Sequence, residues 1–556
     1  FAIRNADEYD LSAILDLFVD PTESLHSPFD YENVIVKGRM GTGKTMYLRA
    51  NHAFYLYNIV PSLLNEVTVI LPIYIRLSDF QHLSSAEDIY RSIIIKIIEE
   101  LCSIYGQLQD AKKMANIHKG VCSLPLSSIT FKGKLRDTYD ELLKLNCDEY
   151  LQRIGSEFRA KAGLTSRFIK ASMEVNESII LEIKKESQPS ISDVSKSFNL
   201  LMNGIDGKLL ILLDEAGSIN KSFFNEKEKP SFFEILMNQF RTAEYIRTKI
   251  AVYPESYSDI LTETRYGDTY HLQEDITTEK GYESFYHKGL VLIERYISSA
   301  VGKDCRFEDM FNIEEKEEVG TDALEQLINA SAGNMRRFVQ LLDQAMITAF
   351  DEDKGQEKIR HKHAIEALIR HGKSMEDEFN SLDKEFLSTL VKACKSRQAN
   401  IFKFPNKAPV LYKYTYKSSE ANIINIVELG TGRKSTTYSF DYAYCVYTGL
   451  ATHFIKGTER IDRFRSRKNG DWIQRITTLS DELIEHANFP GKIEGEINWI
   501  RDESGFLLGD DGKEYFWQKS FVIEHDRRKR IRHGIRIRFF PIKLGDSYIA
   551  TEIEIL

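Results

Sequence analysis

The residues that could do chemistry sit in two short stretches. Gly38-Arg39-Met40-Gly41-Thr42-Gly43-Lys44-Thr45 reads G-x-x-x-x-G-K-T, between an apolar run, Val34-Ile35-Val36, and a helix-compatible run from Met46 to Tyr57. A polyphosphate needs several backbone N–H groups converging on it. Glycines let the backbone curl that closely, and the N-terminus of the following helix adds partial positive charge. Lys44 would reach the β- and γ-phosphates and the Thr45 hydroxyl would ligate Mg²⁺, so the pattern points to ATP. A glycine turn with an incidental lysine is the plain alternative, and the strand-then-helix setting weighs against it.

The second stretch is Leu209-Leu210-Ile211-Leu212-Leu213-Asp214-Glu215. Five apolar residues make a central strand that ends abruptly in two carboxylates. At the C-terminal edge of a parallel strand, next to the phosphate loop, Asp214 would hold Mg²⁺ and its water shell. Glu215 would polarise the attacking water. A buried strand ending in a solvated acidic turn is the alternative, and the phosphate loop upstream counts against it.

The elements that must position these groups follow from pattern. The 556 residues allow about three or four domains. No apolar run approaches the ~20 residues needed to span a bilayer. Six scattered cysteines without a C-x-x-C pair give no zinc or disulfide framework, and a reducing cytoplasm fits. A net charge of −9 argues against a surface coated uniformly in nucleic acid but leaves room for local basic patches. The numbering opens at Phe1 with no secretory signal, so a few upstream residues are expected to precede it.

An amphipathic run, Leu11 to Phe18, opens an N-terminal segment of the kind that covers adenine in many P-loop proteins. Val67 to Leu77 reads as a buried parallel strand, and Ser84 with Asp88 opens a helix through about Gln109. From Thr45 to Asp214 is 214 − 45 = 169 positions, more than one strand–helix unit needs. The excess, near 110–200, is expected to be a helical insertion, either scaffolding or a grip for a partner. A helix (Pro230 to Ile246), a strand (Lys249 to Tyr253) and a short strand (Tyr270 to Leu272) complete a P-loop α/β core over 1–275. Helices from Gly281 to Ala300 and Asp322 to Ala349 then form a lid over 276–372.

Over 373–452, the helix Leu382 to Lys395 leads into β-rich runs, Asn422 to Leu429 and Thr436 to Tyr447. Between the two runs, Gly430-Thr431-Gly432-Arg433-Lys434 makes a basic hairpin tip. Helix plus basic hairpin suggests a winged helix whose wing, through Arg433 and Lys434, touches phosphates. A generic turn with solvated cations remains open. A linker helix with Arg460, Arg463, Arg465, Arg467 and Lys468 near its start is expected over 453–489. Five short strands in 490–556 (Lys492 to Ile500, Gly505 to Leu508, Glu514 to Trp517, Ile535 to Phe540, Tyr548 to Ile555) fit a small oligonucleotide-binding barrel.

The phosphate loop, the LLILLDE strand and Gly333-Asn334-Met335-Arg336-Arg337-Phe338 together resemble the AAA+ ATPases, and within them the origin-recognition-complex-like initiator branch. The resemblance covers roughly residues 10–450 and implies an ATPase with bound Mg²⁺. It also implies an arginine early in a lid helix that contacts the γ-phosphate; Arg336 matches best and Arg337 second. It implies a winged helix after the lid. An arginine finger serving a neighbouring subunit maps by position to Arg265, where an ordinary surface arginine fits as well. The polar residue that usually ends the fourth strand is missing: the chain reads Tyr253-Pro254-Glu255-Ser256, with Ser256 as a substitute or no substitute at all.

Residues 490–556 are similar to cold-shock domains, through Gly495-Glu496-Ile497-Asn498-Trp499, Ser504-Gly505-Phe506-Leu507-Leu508 and Tyr515-Phe516-Trp517-Gln518-Lys519-Ser520. Gly534-Ile535-Arg536-Ile537-Arg538-Phe539 adds a fourth match. Carried over, Trp499, Phe506 and Phe516 would stack single-stranded bases. Ser504, Ile500 and Gln518 stand where that family has aromatics and a histidine, which should weaken single-strand affinity by ~1–3 kcal/mol for each lost stacking position. Arg527-Arg528-Lys529-Arg530 could compensate electrostatically, although 490–556 carries 12 Lys/Arg against 12 Asp/Glu. The expected function is an ATP-controlled, self-associating switch that engages DNA. Its setting would be mobile-element replication or defence against invading DNA with a separate effector such as a nuclease. The alternative is an ATP-dependent protein-assembly scaffold, with no membrane partner in either case.

Overall fold

The computed structural model describes residues 9–21, 27–64, 67–117, 190–202, 206–219, 223–224, 231–253, 267–312, 322–354, 358–404, 411–415, 422–428, 436–450, 476–479, 492–501, 504–523, 526, 531–544 and 547–556. Ala6 and Leu483 are also described, and residues 277, 303 and 398 are not. The chain divides into two compact units, residues 2–274 with 290–305 and residues 275–289 with 306–556.

The first unit is built on a parallel sheet of five strands: β1 (Val34–Lys37), β2 (Val69–Arg76), β3 (Gly207–Asp214), β4 (Ile246–Val252) and β5 (Asp268–His271). Their order across the sheet is β2-β3-β4-β1-β5. Strands covered on both faces must be apolar at every position rather than at alternate ones. β3 meets that demand, with Leu209 to Leu213 all buried. Side chains alternate faces. Val34, Val36, Leu210, Leu212 and Ala251 pack with Tyr47 and Leu48 of α2 (Lys44–Leu64) and with Ile14 of α1 (Leu11–Leu17). Ile35, Ile211, Leu213 and Ile250 face the other way, onto Ile93 and Ile97 of α3 (Ala86–Ile117). That layer also takes in the helices Ile191–Met202 and Phe232–Thr242.

Around β4 two boundaries differ from expectation. The helix expected over 230–246 is Phe232–Thr242, N-capped by Ser231, whose hydroxyl accepts from the Glu234 N–H. β4 begins at Ile246 because Ile246 and Thr248 are β-branched and buried, and they pair with Leu209 and Ile211 of β3, where a strand satisfies their backbone.

In the second unit three helices, Ala323–Ser331, Met335–Asp353 and His361–Asp377, bury Leu327, Phe338, Leu341, Leu342, Ala367 and Leu368. The first two are separated where Ala332 and Gly333 take positive φ (52° and 75°), and Asn334 caps the second. The helix Ser381–Lys395 follows. Then comes a sheet of β6 (Ile401–Phe404), β7 (Ile424–Glu428), β8 (Thr436–Phe440) and β9 (Ile476–Thr478), in the order β7-β8-β6-β9. Only the first part of the run Thr436 to Tyr447 is strand. Asp441 accepts from the Ala443 and Tyr444 N–H groups and starts the helix Tyr442–Thr448. Within the expected linker helix, Ile476-Thr477-Thr478 is instead a strand parallel to β6, as its β-branched residues favour.

The last five strands, β10 (Ile493–Arg501), β11 (Ser504–Gly509), β12 (Glu514–Gln518), β13 (Arg536–Leu544) and β14 (Ser547–Ile555), close into a barrel in the order β10-β11-β12-β14-β13. Its interior holds Ile497, Leu507, Tyr515, Trp517, Ile537, Phe539, Ala550 and Ile553. Among the described residues no helix is long and apolar enough to cross a membrane.

Candidate active site

β1 runs directly into the phosphate loop. Gly41 and Gly43 take φ of 83° and 93°, values that disfavour any side chain. A Cβ on Gly43 would meet nothing within 4 Å, so its backbone is open to a ligand. A Cβ on Gly38 would lie 2.3 Å from Thr42 Oγ1, which itself donates to the Arg39 carbonyl at 2.9 Å. The Arg39 and Met40 side chains point outward and are exposed. Lys44 opens α2 and is 4% exposed. Its ammonium donates to the carbonyls of Gly38 (2.8 Å) and Arg39 (2.6 Å) and lies 4.0 Å from the centre of the Tyr253 ring.

Asp214 ends β3, 1% exposed. One carboxylate oxygen accepts from the Tyr74 hydroxyl and the other from the Glu215 N–H, both at 2.8 Å; the Thr45 hydroxyl lies close enough to the same carboxylate to favour its charged form. Burial pushes the Asp214 carboxyl above the ordinary carboxylate range, while the Tyr74, Thr45 and Glu215 donors pull it down. Glu215 is half-buried and left-handed, φ 57° and ψ 38°, a conformation that costs a non-glycine residue roughly 1–2 kcal/mol. The local fold therefore holds the second carboxylate in a strained turn rather than continuing the strand.

Thr45 and Asp214, 169 positions apart, meet at one point on the C-terminal edge of the sheet. A hydroxyl beside a carboxylate is a hard-oxygen pair that suits Mg²⁺, and the open backbone at Gly43 beside a buried ammonium suits a polyphosphate. Sequence pattern missed two residues here. Tyr74 is β2's polar-tipped residue beside β3, in register with Leu212, and Tyr253 follows the last residue of β4. Their only signal is a hydroxyl-bearing ring in or next to an apolar strand.

The two arginines that open the helix Met335–Asp353 separate cleanly. Arg337 is 2% exposed and makes a two-pronged ion pair with Asp441, both contacts 2.7 Å; Arg336, one residue earlier, is half-buried. On the barrel, Trp499, Phe506 and Phe516 pair across β10, β11 and β12, with ring centres 5.9 Å and 5.7 Å apart. Trp499 and Phe506 are exposed. Beside them, Arg536 is bound to Asp510 and Glu494, and Arg538 to Glu494. Arg265, Ser256, Arg433, Lys434, Arg527, Arg528, Lys529 and Arg530 lie outside the described residues. So do the basic linker residues 460–468 and most of the 110–200 insertion.

No protein-family model and no curated protein matches the sequence. Among solved structures, the chain is similar to the Aeropyrum pernix ORC2 protein in its ADPNP–ADP complexes, at 12% identity and a TM-score of 0.28. That match covers 64% of this chain and 65% of the ORC2 chain, just under two thirds of the latter. It is also similar to the Aeropyrum pernix ORC1 protein in complex with DNA (12%, TM-score 0.28, 79% of this chain and 88% of that one). A third is Cdc6p from Pyrobaculum aerophilum (14%, TM-score 0.28, 75% and 87%).

Proposed function

We propose that this chain is an AAA+-type ATPase of the initiator kind, which binds and hydrolyses ATP and engages nucleic acid in its ATP state. The observation that carries the ATPase part is the meeting of Thr45 and Asp214 beside the buried Lys44 ammonium. In this proposal Lys44 and the loop N–H groups bind the phosphates, Thr45 and Asp214 hold Mg²⁺, and Glu215 orients and polarises the attacking water. Mg²⁺, when bound, supplies charge neutralisation at the phosphate oxygens. The AAA+ resemblance assigns Arg336 to the γ-phosphate and Arg265 to a neighbouring copy's nucleotide. The bidentate pairing of Arg337 with Asp441 supports Arg336 over Arg337, because a guanidinium committed on both prongs has little left to offer a phosphate.

For nucleic acid, the winged-helix-like region 373–452 and the cold-shock-like barrel are the proposed contacts, with Trp499, Phe506 and Phe516 as the stacking platform. A second reading, that the barrel docks protein, is favoured by one observation: Arg536 and Arg538 are already neutralised by carboxylates. The deciding measurements are ATP turnover and filter binding of single- and double-stranded DNA, with and without ATP, at two salt concentrations. Lys44→Ala should lose binding and turnover. Glu215→Gln should keep ATP bound and lose turnover. Unchanged turnover in both variants would refute the ATPase assignment, and absence of DNA binding under every condition would leave the protein-assembly reading. Self-association, a nuclease-like effector and a role in element replication or defence are further parts of the proposal.

A further inference from the structure

β4 lies between β1 and β3, so whatever follows its last residue stands between the phosphate loop and Asp214. The register pairs Lys37 with Val252, which brings Tyr253 level with Gly38. The Tyr253 ring face lies there, with the Lys44 ammonium 4.0 Å from the ring centre and also bonded to the Gly38 and Arg39 carbonyls. A buried ammonium is costly unless its charge is met by oriented partners, and a ring face meets it without competing for its hydrogen bonds. The ring also adds to the two carbonyl bonds in fixing the direction of a side chain with four torsions.

We infer that Tyr253 is the positioning residue of Lys44, and that it acts through its ring face rather than by a hydroxyl bond to the nucleotide. This inference rests on the reading of residues 38–45 as an ATP site. Tyr253 thereby sets the affinity of the loop for di- and triphosphates while making no contact with them.

The test is calorimetric titration of the full chain with ATP and with ADP, for wild type and three variants, alongside thermal unfolding of each. Tyr253→Phe should bind within about twofold of wild type, since a phenyl face keeps the attraction. Tyr253→Leu, which fills the space without a π face, and Tyr253→Ala should each weaken both nucleotides roughly 5- to 30-fold. The Leu variant carries the result if the Ala variant does not fold. A Phe variant as weak as the Ala variant would overturn the inference in favour of a hydroxyl contact. A Leu variant as tight as wild type would overturn it in favour of simple space-filling. Failure of the wild type to bind ATP would instead remove the underlying site reading, a different and separable outcome.

Discussion

Lys249 offers a prediction whose size can be worked from the structure. It lies on β4 beneath α2, 1% exposed, and donates to the Pro28 carbonyl (2.9 Å), to Asn51 Oδ1 (2.7 Å) and toward the Tyr47 hydroxyl (3.3 Å). None of these partners is charged. Burial lowers its pKa from 10.5 to about 7, against the weaker opposing pull of Asp30 and Glu32. The unfolded chain therefore takes up a proton near pH 10.5 that the folded chain resists until about pH 7. Stability is fullest above pH 10.5, falls as pH falls between those two values, and is level below about 7. Worked through linkage, the charge penalises the folded state by about 4 kcal/mol at pH 7 and about 2 kcal/mol at pH 9. Lys249→Met removes that penalty at both pH values. It also takes the donor from Asn51 Oδ1, at ~1–3 kcal/mol, while the Pro28 carbonyl keeps the Tyr47 hydroxyl at 3.0 Å; that cost does not vary with pH. The double difference is therefore the clean quantity. Relative to wild type, the Met variant should lose about 2 kcal/mol of standing between pH 7 and pH 9. Urea unfolding of both proteins at the two pH values measures it, reading the transition that the substitution moves. Parallel profiles, with the difference between the proteins unchanged by pH, would refute the assignment of a depressed, buried lysine.

Two other predictions test neighbouring links. Tyr74→Phe deletes one donor to the buried Asp214 carboxylate; turnover should then need several-fold more Mg²⁺ for half-maximal rate, and stability should drop by about 1–2 kcal/mol. An unchanged Mg²⁺ requirement would show that Tyr74 only fills space. Arg337→Ala strands Asp441 as a buried, unpaired charge and should destabilise by about 3–5 kcal/mol, clearly more than Arg336→Ala at the half-buried neighbouring position. Thermal unfolding of the two variants compares them directly, and equal losses would contradict the division of roles between the two arginines.

Much of the candidate site was legible because its requirements are local. A phosphate loop needs glycines at fixed offsets, and a buried central strand ending in carboxylates announces itself by the abrupt change at Asp214. The five barrel strands were legible for a similar reason: short alternating runs separated by turn residues, as in Ile493–Arg501 and Ser504–Gly509. What could not be read depends on contacts made across the fold. Tyr74 and Tyr253 belong to the site only because β2 and β4 flank β3, and strand order leaves no mark in a run of Ile, Val and Tyr. The helix Tyr442–Thr448 hid inside β-branched and aromatic sequence because its start is set by one capping residue, Asp441. Its turn is then held by packing, with Tyr444 buried against Phe440 and bonded to Glu376. Lys249 looked like an ordinary strand lysine; its burial follows from the way Pro28 and Asn51 close over it.

The adjacent arginines Arg336 and Arg337 bear on how a nucleotide signal would leave the site. Arg337 does more than fill a place in the helix Met335–Asp353. Its guanidinium holds Asp441, and Asp441 is also the N-cap of the helix Tyr442–Thr448, so one carboxylate serves both the ion pair and the helix start. Around this pair, Tyr442 donates to Gln326, and Tyr444 and Tyr447 both donate to Glu376. Gly372 lets the helix His361–Asp377 approach so closely that a Cβ there would lie 2.5 Å from the Ala443 carbonyl. His371, pushed down to about 4 by burial and then by Arg337, stays neutral and does not compete for the Asp441 carboxylate. The helices Ala323–Ser331, Met335–Asp353 and His361–Asp377 and residues 441–448 are thus joined by an ion pair, three hydroxyl bonds and a close helix crossing, a combination that resists bending at the junction. A force applied at Arg336 acts one residue from that joint. In the proposed switch, then, the helical lid and the module that follows it would turn together, and the compliant part of the transmission must lie elsewhere along the chain.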